Sequence, residues 1–182
     1  MNGLTWLPPT DDWPARLDGL RGAPDWDGAV ALARTRLDFL KTNALDGVTR
    51  VLPGGPEPLR LALLGSATLD HLAPAIRIGA LRRGMRVAAW VAPFGQYRQA
   101  LAHMPVVPDV VLLALDAHHL TQQADPQAVV DELRRLWAAS PARVIQQLPL
   151  PILPTLMGQN EHALPTAPAA RLLSNVSSFA FQ

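Results

Sequence analysis

Asp109-Val110-Val111-Leu112-Leu113-Ala114-Leu115-Asp116 is the stretch that decides the architecture. Six consecutive apolar residues stand between two carboxylates, with no polar alternation. A strand lying on a surface would alternate; an unbroken run marks a strand covered on both faces, as in parallel sheets. On either side the chain repeats the pattern. Leu59 to Leu64 is a short apolar run stopping at Gly65, and Arg86 to Val91 is another, ended by Pro93 and Gly95. Arg143 to Gln147 reads as a fourth strand. Between them the spacing is helical. Leu69, Leu72, Ala73, Ile76 and Ala80 recur up to Arg82-Arg83-Gly84, where cations and a glycine stop a helix. A short helix is expected over Tyr97 to Leu101. Asp125-Pro126 opens another as N-cap and first helical residue, with Val129, Val130, Leu133, Leu136 and Trp137 as its apolar stripe. Strand–helix–strand repeats of this length require parallel pairing and right-handed crossovers, so a three-layer α/β fold with a short parallel sheet is expected.

Upstream, residues 1–57 carry little strand signal. Trp26, Ala29, Val30, Ala33, Leu37 and Leu40 hold helical spacing, and Asp25 or Asp27 is placed to cap the start. Pro53-Gly54-Gly55-Pro56, followed by Pro58, breaks the pattern. The expected division is therefore an N-terminal helical extension over 1–57 and an α/β domain over 58–182. Beyond Leu150 the composition turns to Pro, Gly, Asn and Thr until a helical stretch from Pro168 to Ser178. No fifth strand is legible, so the fourth would be a sheet edge, to be covered by residues 150–182 or by a partner chain.

Composition narrows the function classes. Of 182 residues, 49% are hydrophobic, enough for a real core, and the net charge of +1 comes from interspersed signs. That balance offers no footprint for nucleic acid or an anionic membrane. Cysteine is absent, which removes disulfides, thiolate metal sites and cysteine nucleophiles. The first thirteen residues have neither a basic start nor an apolar stretch, so no signal peptide is read there, and a cytoplasmic location is expected. There is no Walker loop and no complete GxGxxG. No cofactor and no metal are expected.

In an open parallel sheet the carboxyl ends of the strands line one crevice. Four segments should share that rim: Gly65-Ser66-Ala67-Thr68, Pro93-Phe94-Gly95-Gln96, Asp116-Ala117-His118-His119, and the residues around Gln146-Gln147. Ser66 is the candidate nucleophile, with His71 or His118 as acid/base, and backbone N–H groups of the first loop as oxyanion donors. The alternative is that Ser66 and Thr68 merely cap a helix starting near Leu69. Gly65, Ala67, Thr68, Gly95, Gln96, Asp116, His118 and Gln146 are read as the binding rim. Gln146 and Gln147 equally suit a buried hydrogen-bond network.

Three blocks carry a resemblance: Leu63-Leu64-Gly65-Ser66-Ala67-Thr68-Leu69-Asp70-His71-Leu72-Ala73-Pro74, Phe94-Gly95-Gln96-Tyr97-Arg98-Gln99, and Pro108 through Asp116. In this order they resemble the N-terminal, SGNH-hydrolase-like region of long FkbH-like proteins of polyketide-type biosynthesis. Gln146-Gln147 and Gly158-Gln159-Asn160-Glu161 fit the same pattern. The resemblance implies a flavodoxin-like fold of the SGNH type, followed in such proteins by a HAD-type (haloacid-dehalogenase) phosphatase domain. That second domain is associated with moving a glyceryl unit onto an acyl carrier protein. Its Asp-x-Asp-x-Thr signature does not occur here. The implied role is thus an accessory one, with the carrier protein and a phosphatase domain, in cis or in trans, as partners. A homodimer remains an open alternative, as does a chain cut short at its C-terminus. Against the Gly-Asp-Ser of SGNH hydrolases, Ser66 falls at the aspartate place and Ala67 at the nucleophile place. The base-supplying Asp-x-x-His near the C-terminus is missing, which argues against an independently competent hydrolase. An acyl or glyceryl transferase or esterase using Ser66, and a purely structural or oligomerising domain, are the competing readings.

Overall fold

The computed structural model describes residues 6–116, 119 and 125–147. Expectations for His118, for the helix over 168–178, for the cover of the last strand and for the C-terminal extent of the α/β domain lie outside these residues. In chain order the elements are α1 (Trp13–Gly22), α2 (Trp26–Ala33), α3 (Phe39–Thr49), β1 (Leu59–Gly65), α4 (Leu72–Leu81), β2 (Val87–Val91), α5 (Tyr97–Ala102), β3 (Val110–Ala114), α6 (Pro126–Ala139) and β4 (Arg143–Gln147).

The four strands form one sheet in the order β2-β1-β3-β4. β1 and β3 run parallel from Leu61 opposite Val110 to Gly65 opposite Ala114. β3 and β4 run parallel from Val110 opposite Arg143 to Ala114 opposite Gln147. Leu59 N donates to Arg86 O at 2.9 Å and Ala92 N to Leu63 O at 2.9 Å, so β1 and β2 also ascend together. The expected three-layer, flavodoxin-like α/β architecture is the one observed. The order places the point where the winding reverses between β1 and β3, where such sheets open a crevice at their carboxyl ends.

The chain divides into two compact units. One comprises residues 6–60 with 70–89, the other 61–69 with the described residues from 90 onward. In the first, Trp13, Leu17 and Leu20 of α1, Ala29, Val30, Leu32 and Ala33 of α2, and Leu45 of α3 share a core with Ile78 and Leu81 of α4. The stripe expected to form one helix from Trp26 to Leu40 is instead two: α2 stops at Ala33 and α3 starts at Phe39. Each has its own cap, because Asp25 accepts from Gly28 N and Asp38 accepts from Lys41 N. Two competent N-caps in a short span favour two helices over a continuous one. The end of α2 is closed by an arginine, since Arg82 Nε donates to Ala33 O at 2.5 Å. In return Arg34 Nε donates to Arg82 O at 3.0 Å.

The second unit buries Ala62 and Leu64 of β1, Val111 and Leu113 of β3, Leu115, Tyr97 and Ala100 of α5, and Val129, Val130 and Leu133 of α6. Trp137 is partly buried against this core; the side chain of Leu136 lies outside the described set. α6 begins as expected: Asp125 Oδ1 accepts from Gln127 N at 3.0 Å and from Ala128 N at 3.1 Å. Asp125→Ala removes both bonds and should lower the unfolding free energy by about 1 kcal/mol, read as a shift in the urea midpoint at unchanged slope.

Candidate functional site

β1 and β3 are neighbours running in the same direction, so the residues following Gly65 and Ala114 leave the sheet side by side. Gly65 permits the approach. A Cβ there would stand 2.8 Å from Ala114 O and 2.8 Å from Leu69 Cδ1, closer than van der Waals contact allows. Ser66 N then donates to Ala114 O at 3.2 Å, carrying the ladder one residue beyond the strand.

This places the Ser66 hydroxyl on Asp116. Ser66 Oγ donates to Asp116 Oδ2 at 2.5 Å, and Asp116 N donates to Ser66 Oγ at 2.9 Å. The other carboxylate oxygen, Oδ1, accepts from His119 N at 2.7 Å, the bond an N-cap residue makes with the amide three positions on. His119 Nε2 shares a hydrogen bond of 3.0 Å with Tyr97 OH. The two rings meet edge to face, with centroids 5.4 Å apart and planes at 84°. Tyr97 is 2% exposed, the first buried residue of α5, while Asp116 is exposed and Ser66 half-buried. Burial raises the Tyr97 phenol above its ordinary range, against the opposing pull of the Arg98 guanidinium, and Glu132 adds to the rise. The phenol is therefore neutral at physiological pH and keeps its proton for hydrogen bonding. Arg98 in turn is ion-paired to Glu132 of α6 at 3.0 Å.

Two of the sequence-derived candidates, Ser66 and Asp116, are thus in direct contact. Ala67 and Thr68 follow Ser66 and are exposed. Gly95 has φ +73°, a left-handed turn that suits glycine, and the exposed Gln96 is the residue preceding α5, with no side-chain cap bond. Gln146 is the penultimate residue of β4, and both its amide atoms are buried without a hydrogen-bond partner among the described residues. Buried amides without partners are uncommon and mark a place where a ligand, water or further chain completes the network.

His71 belongs to the other unit, is exposed, and precedes α4 as its cap residue without a side-chain cap bond. The helix expected from Leu69 begins three residues later, at Leu72, so His71 is not inside it. Nor do Ser66 and Thr68 cap that helix: the Ser66 hydroxyl is committed to Asp116.

The residues the rim reading underweighted are His119 and Tyr97. Their signal was present in the chain. Asp116 and His119 stand three apart directly after a buried strand, the spacing of an N-cap and the amide that donates to it, and Tyr97 opens a short helix after Gly95.

The arrangement can polarise a hydroxyl, since a serine donating to a carboxylate is a better hydrogen-bond acceptor on its oxygen. The Ser66 hydroxyl bonds Asp116 and the His119 ring bonds Tyr97, which is not the serine–imidazole pairing of a hydrolase triad. Among the described residues no cluster of three or more potential metal ligands occurs, and no helix is long and apolar enough to cross a membrane.

No protein-family profile matches the chain, and no curated protein matches it. Among solved structures it is similar to the N-terminal part of the protein BF1531 from Bacteroides fragilis, described as containing a phosphatase domain complexed with Mg, with a TM-score of 0.58 and 17% identity. The likeness is one of fold. It covers 85% of this chain and 42% of that one, so the chain spans less than half the length of its structural relative.

Proposed function

We propose that this chain is the accessory α/β module of an FkbH-like protein, working beside a HAD-type phosphatase domain supplied in cis or in trans. Its role is to dock an acyl carrier protein and assist loading of a glyceryl unit, with the Ser66–Asp116 rim as the surface that meets the loaded arm. The observation that carries the reading is the Ser66–Asp116 hydrogen bond at the winding-reversal point of the sheet. Ligands of such sheets bind there whatever their chemistry. The sequence blocks resembling FkbH-like proteins include both residues, and the similar Bacteroides fragilis structure carries a phosphatase domain. The phosphatase chemistry itself has no place in these residues. The single Asp-x-Asp of the chain, Asp25-Trp26-Asp27, has Ala29 where the signature needs threonine, and Asp25 is spent capping α2.

A transferase or esterase using Ser66 is the second reading, favoured by the 2.5 Å donation from Ser66 Oγ to Asp116. Its weakness is the base. An exposed carboxylate is a poor proton acceptor for a serine hydroxyl at neutral pH. A structural or oligomerising domain is the third.

Ser66→Ala separates them. With a phosphatase domain and glyceryl precursor supplied, the variant is expected to load carrier protein within about tenfold of the parent rate. Loss of more than about a hundredfold, with the far-UV spectrum unchanged, would establish the serine as a nucleophile instead. The stability cost of the same change is expected to be about 1 kcal/mol, since water reaches the partners left behind. Failure to detect carrier binding by titration would favour the structural reading. Arg98 is the better position for weakening that binding. Arg77 is engaged inside its own unit, bonded to Asp46, and its replacement would report on folding.

A further inference from the structure

The other unit holds a cavity of about 370 Å³, lined by Trp26, Thr49, Arg50, Arg77, Leu81, Met85 and Arg86 together with Pro58 and Val87–Ala89. Three arginines line one space, and no carboxylate is among its described lining residues. Two of these arginines, Arg50 and Arg77, are bonded to Asp46, which is 2% exposed. Its two oxygens accept from Arg77 Nε and Nη2 at 2.6 and 2.7 Å and from Arg50 Nε and Nη2 at 3.1 and 2.9 Å. One carboxylate against two guanidiniums leaves a surplus of one positive charge. Arg86 adds a second. Its Nη2 donates only to neutral carbonyls, Leu52 O and Gly54 O, and its buried Nε has no partner among the described residues.

The rest of the wall is apolar. The Arg86 guanidinium lies 4.8 Å from the centre of a Trp26 ring, and Leu81, Met85 and Val87 complete the lining. Gly55, at φ +75°, backs the same indole so closely that a Cβ would sit 2.6 Å from it, which holds the ring in place.

We propose that this cavity binds a small organic phosphate monoester. The surplus of two positive charges matches a dianionic phosphoryl group, and guanidiniums are the side chains suited to such oxygens. A phosphodiester carries one charge and a carboxylate one, so both leave part of the surplus uncompensated. The indole and aliphatic wall takes the organic body, and a cavity of this size accepts a ring or a short chain beside the phosphoryl group. The cavity shares no residue with the Ser66–Asp116 rim and does not rest on the function assigned to it.

Titration calorimetry on the whole chain at low salt, with phenyl phosphate, inorganic phosphate and methyl phenyl phosphate as probes, tests the proposal. Phenyl phosphate is expected to bind saturably, at least tenfold more tightly than inorganic phosphate and than the diester. Its affinity should fall severalfold between pH 7.5 and pH 5 as the monoester takes up its second proton, near pH 6. Arg86→Met should weaken it at least tenfold. Because that variant also loses bonds to two carbonyls, Arg50→Gln at the more exposed rim is the companion, expected to weaken binding with the thermal midpoint close to the parent. Equal affinity for monoester and diester, no saturation by the folded parent at millimolar ligand, or unchanged binding in both variants overturns it.

Discussion

Asp46→Ala should lower the unfolding free energy by about 3–5 kcal/mol. The removed carboxylate is 2% exposed and accepts four N–H bonds from two guanidiniums. Arg77, only 14% exposed, would stay behind with no counter-charge. Asp46→Asn keeps the shape but not the charge, and should recover only a small part of the loss. Burial is the largest influence on this carboxyl and pushes its pKa upward, but Arg77 and then Arg50 outweigh it, and the folded-state value lies below the usual 3.8. A carboxylate depressed in the folded state stabilises fully above its unfolded pKa, and that contribution is lost as pH falls through the folded value. The parent chain should therefore lose stability on acidification below about pH 4, whereas Asp46→Asn should show a flatter profile there. Denaturant titrations at pH 7 and at pH 3 check both statements. A parallel decline in parent and variant would show that other carboxylates carry the acid sensitivity.

Gly65→Val is expected to lower the unfolding free energy by about 2–4 kcal/mol, with Gly65→Ala milder. The obstruction is backbone. Ala114 O stands 2.8 Å from the position of the new Cβ and is itself the acceptor for Ser66 N. The carbonyl cannot turn away without giving up that bond, and Leu69, 7% exposed, has little room to withdraw. The sheet must open at the end where Ser66 and Asp116 meet. Both substitutions should therefore impair whatever the rim binds beyond what lost stability accounts for. The check is a carrier-binding titration at a temperature where the folded fraction exceeds nine-tenths. Carrier affinity unchanged in a folded Gly65→Ala chain would dissociate the rim from docking.

The sheet was legible because buried parallel strands leave unbroken apolar runs. Val110 to Ala114 and Leu59 to Gly65 lie within a residue of where the pattern put them. Arg143–Gln147, which carries no such run and alternates in exposure, was nevertheless read to the residue. The N-terminal helices were less legible. Trp26 to Leu40 keeps apolar spacing across a break that only the second cap, Asp38, reveals. α4 was read too long at its start because Leu69 is buried without being helical. At the rim, Ser66 and Asp116 could be placed together by topology alone, since neighbouring parallel strands end on one side. The pairing of Tyr97 with His119 could not. It depends on side-chain reach between the start of α5 and the segment after β3, which no spacing in the chain encodes. The Asp46 cluster was invisible for the same reason: Arg77 lies thirty-one positions away.

α4 shares its core with α1, α2 and α3 although β1 lies between them in sequence. A protein cut at the Pro53–Pro58 punctuation would thus carry Ile78 and Leu81 with nothing to bury them, and Arg77 with no acceptor. Expression boundaries for dissecting this gene should start no later than α1, and fragments beginning at residue 58 are expected in inclusion bodies.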